Sequence, residues 1–545
     1  MAQTAFVDRF VLERLPPAEL LPEFLFELPE LRYPERLNCA GPLLDRWLEA
    51  GSGERVALQA PGVSWTYRDL WSHANRVARV LTEDLGLQPG NRVLLRAPNN
   101  PMLAACWFGV VKAGGVVVTT MPLLRQKELV DILTKAEVSH VLCDVRLREE
   151  LDAAVARCPS VRQVLYFGDG GPGSLEARMA GKPEHFQNVD TARDDPVLIA
   201  FTSGTTGKPK GCVHFHRDVL AICDTFARHV LRATPEDVFT GSPPLAFTYG
   251  LGGLLLFPLR IGASSVLLER AGPEELLEGI ERFGATVCFT APTAYRAMAP
   301  KVTGRPGRLR KCVSAGEALP ASTRLQWREA TGIEIIDGIG STEMLHIFIS
   351  HREEEAKLGA TGKPVPGYRA CVLDEEGRPL PAGEVGRLAV KGPTGCRYLD
   401  DPRQRDYVQG GWNVTGDAYR VDEEGYFVYQ ARTDDLIVSA GYNIAPAEVE
   451  EALLSHPAVA ECGVVGVPDP DRGQVVKAYV VLRPGFAGGP DLVRELQEHV
   501  KAKIAPYKYP RQVEFCQALP RTETGKLQRF RLREWARGGP QEASR

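Results

Sequence analysis

No stretch of this sequence is apolar for long enough to cross a membrane. The most apolar run, Leu103 to Met121, is broken by Lys112, Gly114 and Gly115, whereas a spanning helix needs about 20 apolar residues. The opening MAQTAFVDRFVLERL carries acids among its apolar residues and lacks the basic start and unbroken apolar core of a signal peptide. Positive charge is also missing in excess. A net charge of -4 leaves no basic stripe to neutralise a phosphate backbone, which argues against nucleic acid as a partner. The twelve cysteines contain no C-x-x-C pair and no His-rich neighbourhood, so their spacing does not make a zinc site. They read instead as small buried hydrophobes and free thiols, which together with the opening segment sets the expectation of a cytoplasmic protein.

What remains is a globular composition of 545 residues, 44% hydrophobic and 25% charged, enough for two or three domains. Short apolar runs alternate with helical patterns through most of the chain. RVLLRA, GVVVTT, VSHVLCD, RQVLYF, PVLIAF, SSVLLE and ATVCFT read as strands, each followed by a helix-like stretch, as in layered α/β architecture with largely parallel sheets. From about Cys371 the pattern changes to short strands with Asp, Gly and Pro at turn positions (CVLDEEGRPLP, GRLAVKG, GWNVTGD, GYFVYQ), a smaller β-rich subdomain. A last block, starting near Asp434, reads strand, helix, strand, strand, helix and basic tail, an α+β unit of a size that folds alone. The expected organisation is a large domain over 1–433 and a small mobile one over 434–545.

The sharpest chemical signal is Thr202, Ser203, Gly204, Thr205, Thr206, Gly207, Lys208, Pro209, Lys210, Gly211, directly after PVLIAF and before a helix expected near His216. Glycines free backbone N–H groups to curl round an anion, hydroxyls add donors, and the two lysines compensate charge. It is not a Walker A loop, since Pro209 stands where Ser or Thr should follow the lysine. It reads as a triphosphate-holding loop.

This pattern resembles the phosphate loop of the adenylate-forming superfamily of acyl-CoA synthetases, luciferases and peptide-synthetase adenylation domains, and further motifs of that superfamily recur in order along the chain. In Asp337, Gly338, Ile339, Gly340, Ser341, Thr342, Glu343 the resemblance gives Thr342 to phosphate and Glu343 to Mg2+, a cation that prefers oxygen ligands. Taken alone, a turn with Thr and Glu reads more often as a helix start than as a binding turn. Ser314, Ala315, Gly316 and Glu317 resemble the segment that lies against adenine, and Asp417, in the turn Thr415–Asp417, resembles the ribose acceptor. By the same likeness Arg432 reaches the nucleotide, Asp434 is the hinge and Gly441 lines the pantetheine tunnel. Lys526, in the basic stretch Pro520 to Arg529, takes the place of the family's catalytic lysine.

The resemblance implies ATP, Mg2+ and CoA as cofactor and co-substrates, and a carboxylic acid activated as its acyl-AMP before thioester formation. Leu245, Ala246, Phe247, Thr248, Tyr249 and Gly250 resemble the acyl-pocket motif. Amino-acid-activating relatives carry Asp after the aromatic, where this chain has Thr248, so an α-amino acid is disfavoured. Met344, Leu345, His346, Ile347, Phe348 look like the continuation found in benzoate-type CoA ligases, and the segment from Leu15 to Cys39 is similar to that of 2-aminobenzoate-CoA ligases. With Tyr249, Ala291, Tyr295 and Gly340, these would frame a flat apolar slot for an aromatic ring. Loading of a carrier protein, luciferase-like oxygenation and nucleotide binding without catalysis are the rival readings. A homodimer is one assembly the sequence permits.

Overall fold

The computed structural model describes residues 3–202, 209–433, 435–439, 442–470, 472–522 and 526–539. Its first large sheet has 6 strands in the order Gln163–Phe167, His140–Asp144, Arg92–Arg96, Val116–Thr120, Pro196–Phe201, Gly211–Phe215. All neighbours are parallel except the last pair. The last strand goes beyond the sequence expectation, which passed from the phosphate loop straight to the helix His216–Ile222. Helices cover the faces of such a sheet, so its inner strands are buried on both sides. Even Arg96 is buried, and it donates to the carbonyls of Met121, Pro122 and Leu124. The helix Pro101–Lys112 starts where Asn100 caps it, Oδ1 accepting from Leu103 N–H with Pro101 in the first turn.

A second sheet has 9 strands. Its inner strands, among them Val238–Gly241, Val287–Thr290, Lys311–Ser314 and Ile335–Gly340, run parallel, and antiparallel pairs close both edges. Asp337 to Gly340 therefore lie in a strand and not in the expected turn, because Ile347–Ser350 folds back to pair with them. The turn proper is Ser341 to Leu345, where Leu345 takes φ 68. Thr415 to Asp417 are likewise strand residues, inside Trp412–Val421, the hub of a 5-stranded antiparallel sheet that includes Phe427–Arg432. Pairing with a neighbour satisfies the backbone that the sequence pattern assigned to turns.

The C-terminal strands form a separate sheet around the long hairpin Val459–Asp469 and Gly473–Leu482. Helices Pro446–Leu454 and Pro490–Lys503 pack there with their own apolar cluster, centred on Val449, Val464, Val480 and Leu496. The chain thus has a large N-terminal domain of mixed α/β sheets and a small C-terminal one, each with its own core. The strand Gln512–Phe515 and the helix Arg529–Ala536 add to the expected C-terminal block. Among the described residues no helix is long and apolar enough to cross a membrane.

Candidate active site

The antiparallel pair Pro196–Phe201 and Gly211–Phe215 carries the phosphate-type loop at its open end. Thr202 N–H donates to the Lys210 carbonyl at 3.0 Å, and Lys210 N–H to Thr202 Oγ1 at 3.4 Å, so the ladder pins both ends of the loop. Ser203, Gly204, Thr205, Thr206 and Lys208 lie outside the described residues, as do Asp434 and Gly441. Lys210 points inward. Its Nζ donates to the Tyr398 hydroxyl at 2.7 Å and stands 3.6 Å from Glu343 Oε1.

Glu343 is buried and accepts from the Tyr398 hydroxyl at 2.5 Å. The carbonyl of Thr342 accepts from His214 Nε2 at 2.8 Å, a bond that sets the tautomer of a fully buried ring. Behind His214, the Asp218 carboxylate lies 3.8 Å from Nδ1 and accepts from Arg397 at 2.6 Å. Burial would push the Asp218 carboxyl up, but the Arg397 guanidinium outweighs it and holds the group well below its usual range. Tyr398, His214 and Arg397 were absent from the residues expected from sequence. No local motif marks them, since Tyr398 meets Lys210 across 188 positions.

Opposite this cluster lie the groups expected near the nucleotide. Ser314 ends a strand, and Gly316 takes φ 91 beside the C-terminal domain, where a Cβ would come 3.7 Å from Lys526 Cε. Glu317 faces Arg521 at 3.9 Å. Lys526 is open to solvent on one side yet crowded by protein, which lowers its pKa, while Glu317 and Asp417 pull it back up. Asp417, raised by burial, is paired with Arg432 at 3.4 Å. Asp337 is buried, and Ser314 stands directly opposite it on the adjacent strand, where its hydroxyl faces the carboxyl. Burial pushes the Asp337 carboxyl up to about 7 against the pull of Arg324.

The acyl side is built differently. Ala246 is held by its carbonyl, which accepts from Thr119 Oγ1 at 2.7 Å, and Tyr249 donates to the carbonyls of Thr290 and Val313 at 3.2 and 3.1 Å. His346 is buried among rings, 4.5 Å from Phe257, 5.6 Å from Phe226 and 5.7 Å from Tyr249. Burial lowers its pKa to about 3, which keeps the imidazole neutral. Its Nε2 is 3.4 Å from the Tyr249 carbonyl, and Nδ1 has no partner among the described residues. Gly340 permits close approach of the returning chain, because a Cβ there would meet the His346 carbonyl oxygen at 2.7 Å. Ile347 packs over Gly338, and Ala291 precedes the helix Pro292–Met298. Half-buried Phe247 and buried Gly250 flank Tyr249.

Tyr295, expected to frame the slot, shares the Val313 carbonyl with the Tyr249 hydroxyl. It is fully buried, stacks edge-on against Trp327 at 5.0 Å and donates to Cys288 and Val313 carbonyls. It belongs to a cluster with Cys312 and Ile335, distinct from the cluster that holds Phe289 and Ile347. Alternate residues of the strand Lys311–Ser314 face opposite sides, so Cys312 packs with Tyr295 while Val313 faces away.

A family model described as AMP-binding enzyme matches residues 44–397, and that of the AMP-binding enzyme C-terminal domain matches 448–526. The chain belongs to the AMP-binding enzyme family. This AMP-binding enzyme is 39% identical to a benzoate–CoA ligase of Thauera aromatica over 93% of its own length and 97% of the relative's. It superposes on an anthranilate CoA ligase solved with anthranoyl-AMP with a TM-score of 0.88 at 35% identity, covering 93% of this chain and 99% of the other. A benzoate CoA ligase from Burkholderia xenovorans gives 0.84 at 34% identity, with 91% and 100% covered. These likenesses run across both domains of the AMP-binding enzyme, from the N-terminal sheets to the segment that ends in Lys526.

Proposed function

We propose that the chain is an ATP-dependent, AMP-forming aryl-CoA ligase that activates benzoate or 2-aminobenzoate. The observation that carries this reading is the turn after Gly340, which sends Glu343 to Lys210 and Tyr398 and then His346 into the ring cluster. A flat acid with its ring among Tyr249, Phe247 and His346 would extend its carboxylate toward the phosphate side. The similarity to benzoate and anthranilate CoA ligases supports the same choice of acid.

In the first step a carboxylate oxygen bonds to the α-phosphorus of ATP and pyrophosphate leaves. In the second the CoA sulfur bonds to the acyl carbon and AMP leaves. Two anions meet in the first step, so fixed positive charge is the main requirement. Lys526 serves the carboxylate and α-phosphate, while Lys210 and the loop from Thr202 serve the departing pyrophosphate. Ser314 to Glu317 and Asp337 to Ile339 take the adenine side, and Asp417 with Arg432 the ribose. Glu343 and the Thr342 hydroxyl are oxygen donors, and among the described residues no group of three His, Cys, Asp or Glu could hold a metal unaided. That donor set fits Mg2+ carried largely by phosphate, where it would offset negative charge. Asp434 and Gly441 keep the hinge and tunnel roles of the resemblance, with the boundary at 433/434.

The free cysteines, from Cys39 to Cys516, support a reducing cytoplasm. All the assigned groups come from one chain, so the activity stands for a monomer or a homodimer, which light scattering distinguishes. The test of function is acid-dependent ATP/pyrophosphate exchange over benzoates, aminobenzoates, cinnamates and fatty acids, followed by thioester formation with CoA. Benzoate-sized acids are expected to lead. An ortho-amino group would donate to the free Nδ1 of His346, so 2-aminobenzoate should fall toward benzoate when His346→Ala is made. Robust exchange on palmitate with none on any benzoate would sink the assignment.

A further inference from the structure

Tyr398 stands between the two charged groups of the phosphate side. It is 1% exposed, and its hydroxyl accepts from Lys210 Nζ at 2.7 Å while donating to Glu343 Oε1 at 2.5 Å. A β-bridge to Cys212 places it beside the strand that carries Lys210 toward the loop. Its ring packs edge-on against Tyr407 at 5.8 Å, and the Lys210 ammonium lies 4.6 Å from the ring centroid.

We infer that Tyr398 is a positioning residue, which orients the cation-binding carboxylate and keeps it from closing on the phosphate-binding lysine. The argument rests on the reading of Glu343 as the group that holds Mg2+. A carboxylate that binds a cation through one oxygen turns about its last bond unless the other oxygen is held, and outer partners of this kind tune metal affinity. Tyr398 holds Oε1. Lys210 and Glu343 already form an ion pair at 3.6 Å, and removal of the hydroxyl between them lets the ammonium donate directly to Oε1, which draws both away from the nucleotide. The hydroxyl accepts from one and donates to the other, and so holds the pair at that separation.

The experiment is calorimetric binding of ATP to the full chain across a Mg2+ titration, in wild type, Tyr398→Phe, Glu343→Gln and the double variant. Phenylalanine retains the packing on Tyr407 and the ring beneath Lys210, and thermal melting confirms that the fold is kept. Tyr398→Phe is expected to raise the Mg2+ midpoint about 10- to 100-fold. Little further rise is expected when it is added to Glu343→Gln, because both variants break one linked unit. An unchanged midpoint in Tyr398→Phe with a shifted one in Glu343→Gln overturns the role of Tyr398 and leaves Glu343 in place. Unchanged midpoints in both overturn the two readings together, and additive shifts show that Tyr398 acts elsewhere than on Glu343.

Discussion

Around His346 the protein is dry, aromatic and neutral, whereas around Glu343 and Lys526 it is charged and lies at the seam between two domains. The ring cluster is continuous with the main core, sharing Phe226, Phe257 and Phe289 with it, and a change there disturbs packing first. On the charged side Lys526 approaches Gly316 across the domain seam and contributes little to any core. On the proposed reading, a change to the charged side is expected to act on rate, and a change to the rings on stability and choice of acid.

The widest separation should come from Lys526→Ala. Adenylation is expected to fall about 10²- to 10³-fold, the usual cost of a lost charge aimed at a developing anion. Conversion of supplied acyl-AMP and CoA to thioester should stay near normal, and the melting temperature should not move. Equal loss in both half-reactions would remove Lys526 from its assigned step.

Asp337 lies between the two regimes, a nucleotide-side group with a core-like environment. Its carboxyl is raised from 3.8 to about 7 by burial, so between those values the folded chain keeps a proton that the unfolded chain has lost. Stability contributed by the protonated group is full below about pH 4, declines as pH rises, and has gone above about pH 7. Asp337→Asn should remove this slope, which amounts to on the order of a few kcal/mol. Denaturant titrations at pH 5 and pH 8.5 test it. The variant should gain more on wild type at pH 8.5 than at pH 5, and a gain that is equal at both would show that the carboxyl does not titrate in that window.

The smallest effect is expected on the ring side. A Cβ at Gly252 would lie 2.4 Å from His346 Cδ2 and 2.8 Å from Nε2, so Gly252→Ala must displace the imidazole. Overpacking of this kind costs about 1–3 kcal/mol. The ratio of benzoate to 2-aminobenzoate turnover should change while KM for ATP does not. An altered KM for ATP with an unchanged ratio would mean that His346 serves the nucleotide side.

Much of this organisation could be read along the chain. PVLIAF, ATVCFT and RVLLRA are strands because their apolar runs suit a sheet covered on both faces, and helix Pro101–Lys112 follows its own period and cap. Lys210, Glu343, Asp417 and Lys526 were singled out by motifs that resemble those of the family, and the structure sets Lys210 beside Glu343 and Asp417 beside Arg432. Less legible was the state of the backbone at those segments. Asp337–Gly340 and Thr415–Asp417 have the Gly, Asp and Ser/Thr content of turns, yet the strands that fold back on them, Ile347–Ser350 and Phe427–Arg432, pair with them.

By itself, then, the sequence determined which local segments carry charge, hydroxyls or rings, because periodicity and motif spacing act over a few residues. Tertiary structure alone decided that Tyr398 meets Glu343, that His214 braces Thr342, and that Tyr295 packs edge-on against Trp327. Those outcomes depend on which strands become neighbours and which face each side chain takes. A hydroxyl 55 positions from its carboxylate, or an imidazole 128 positions from its carbonyl, leaves no mark in local spacing.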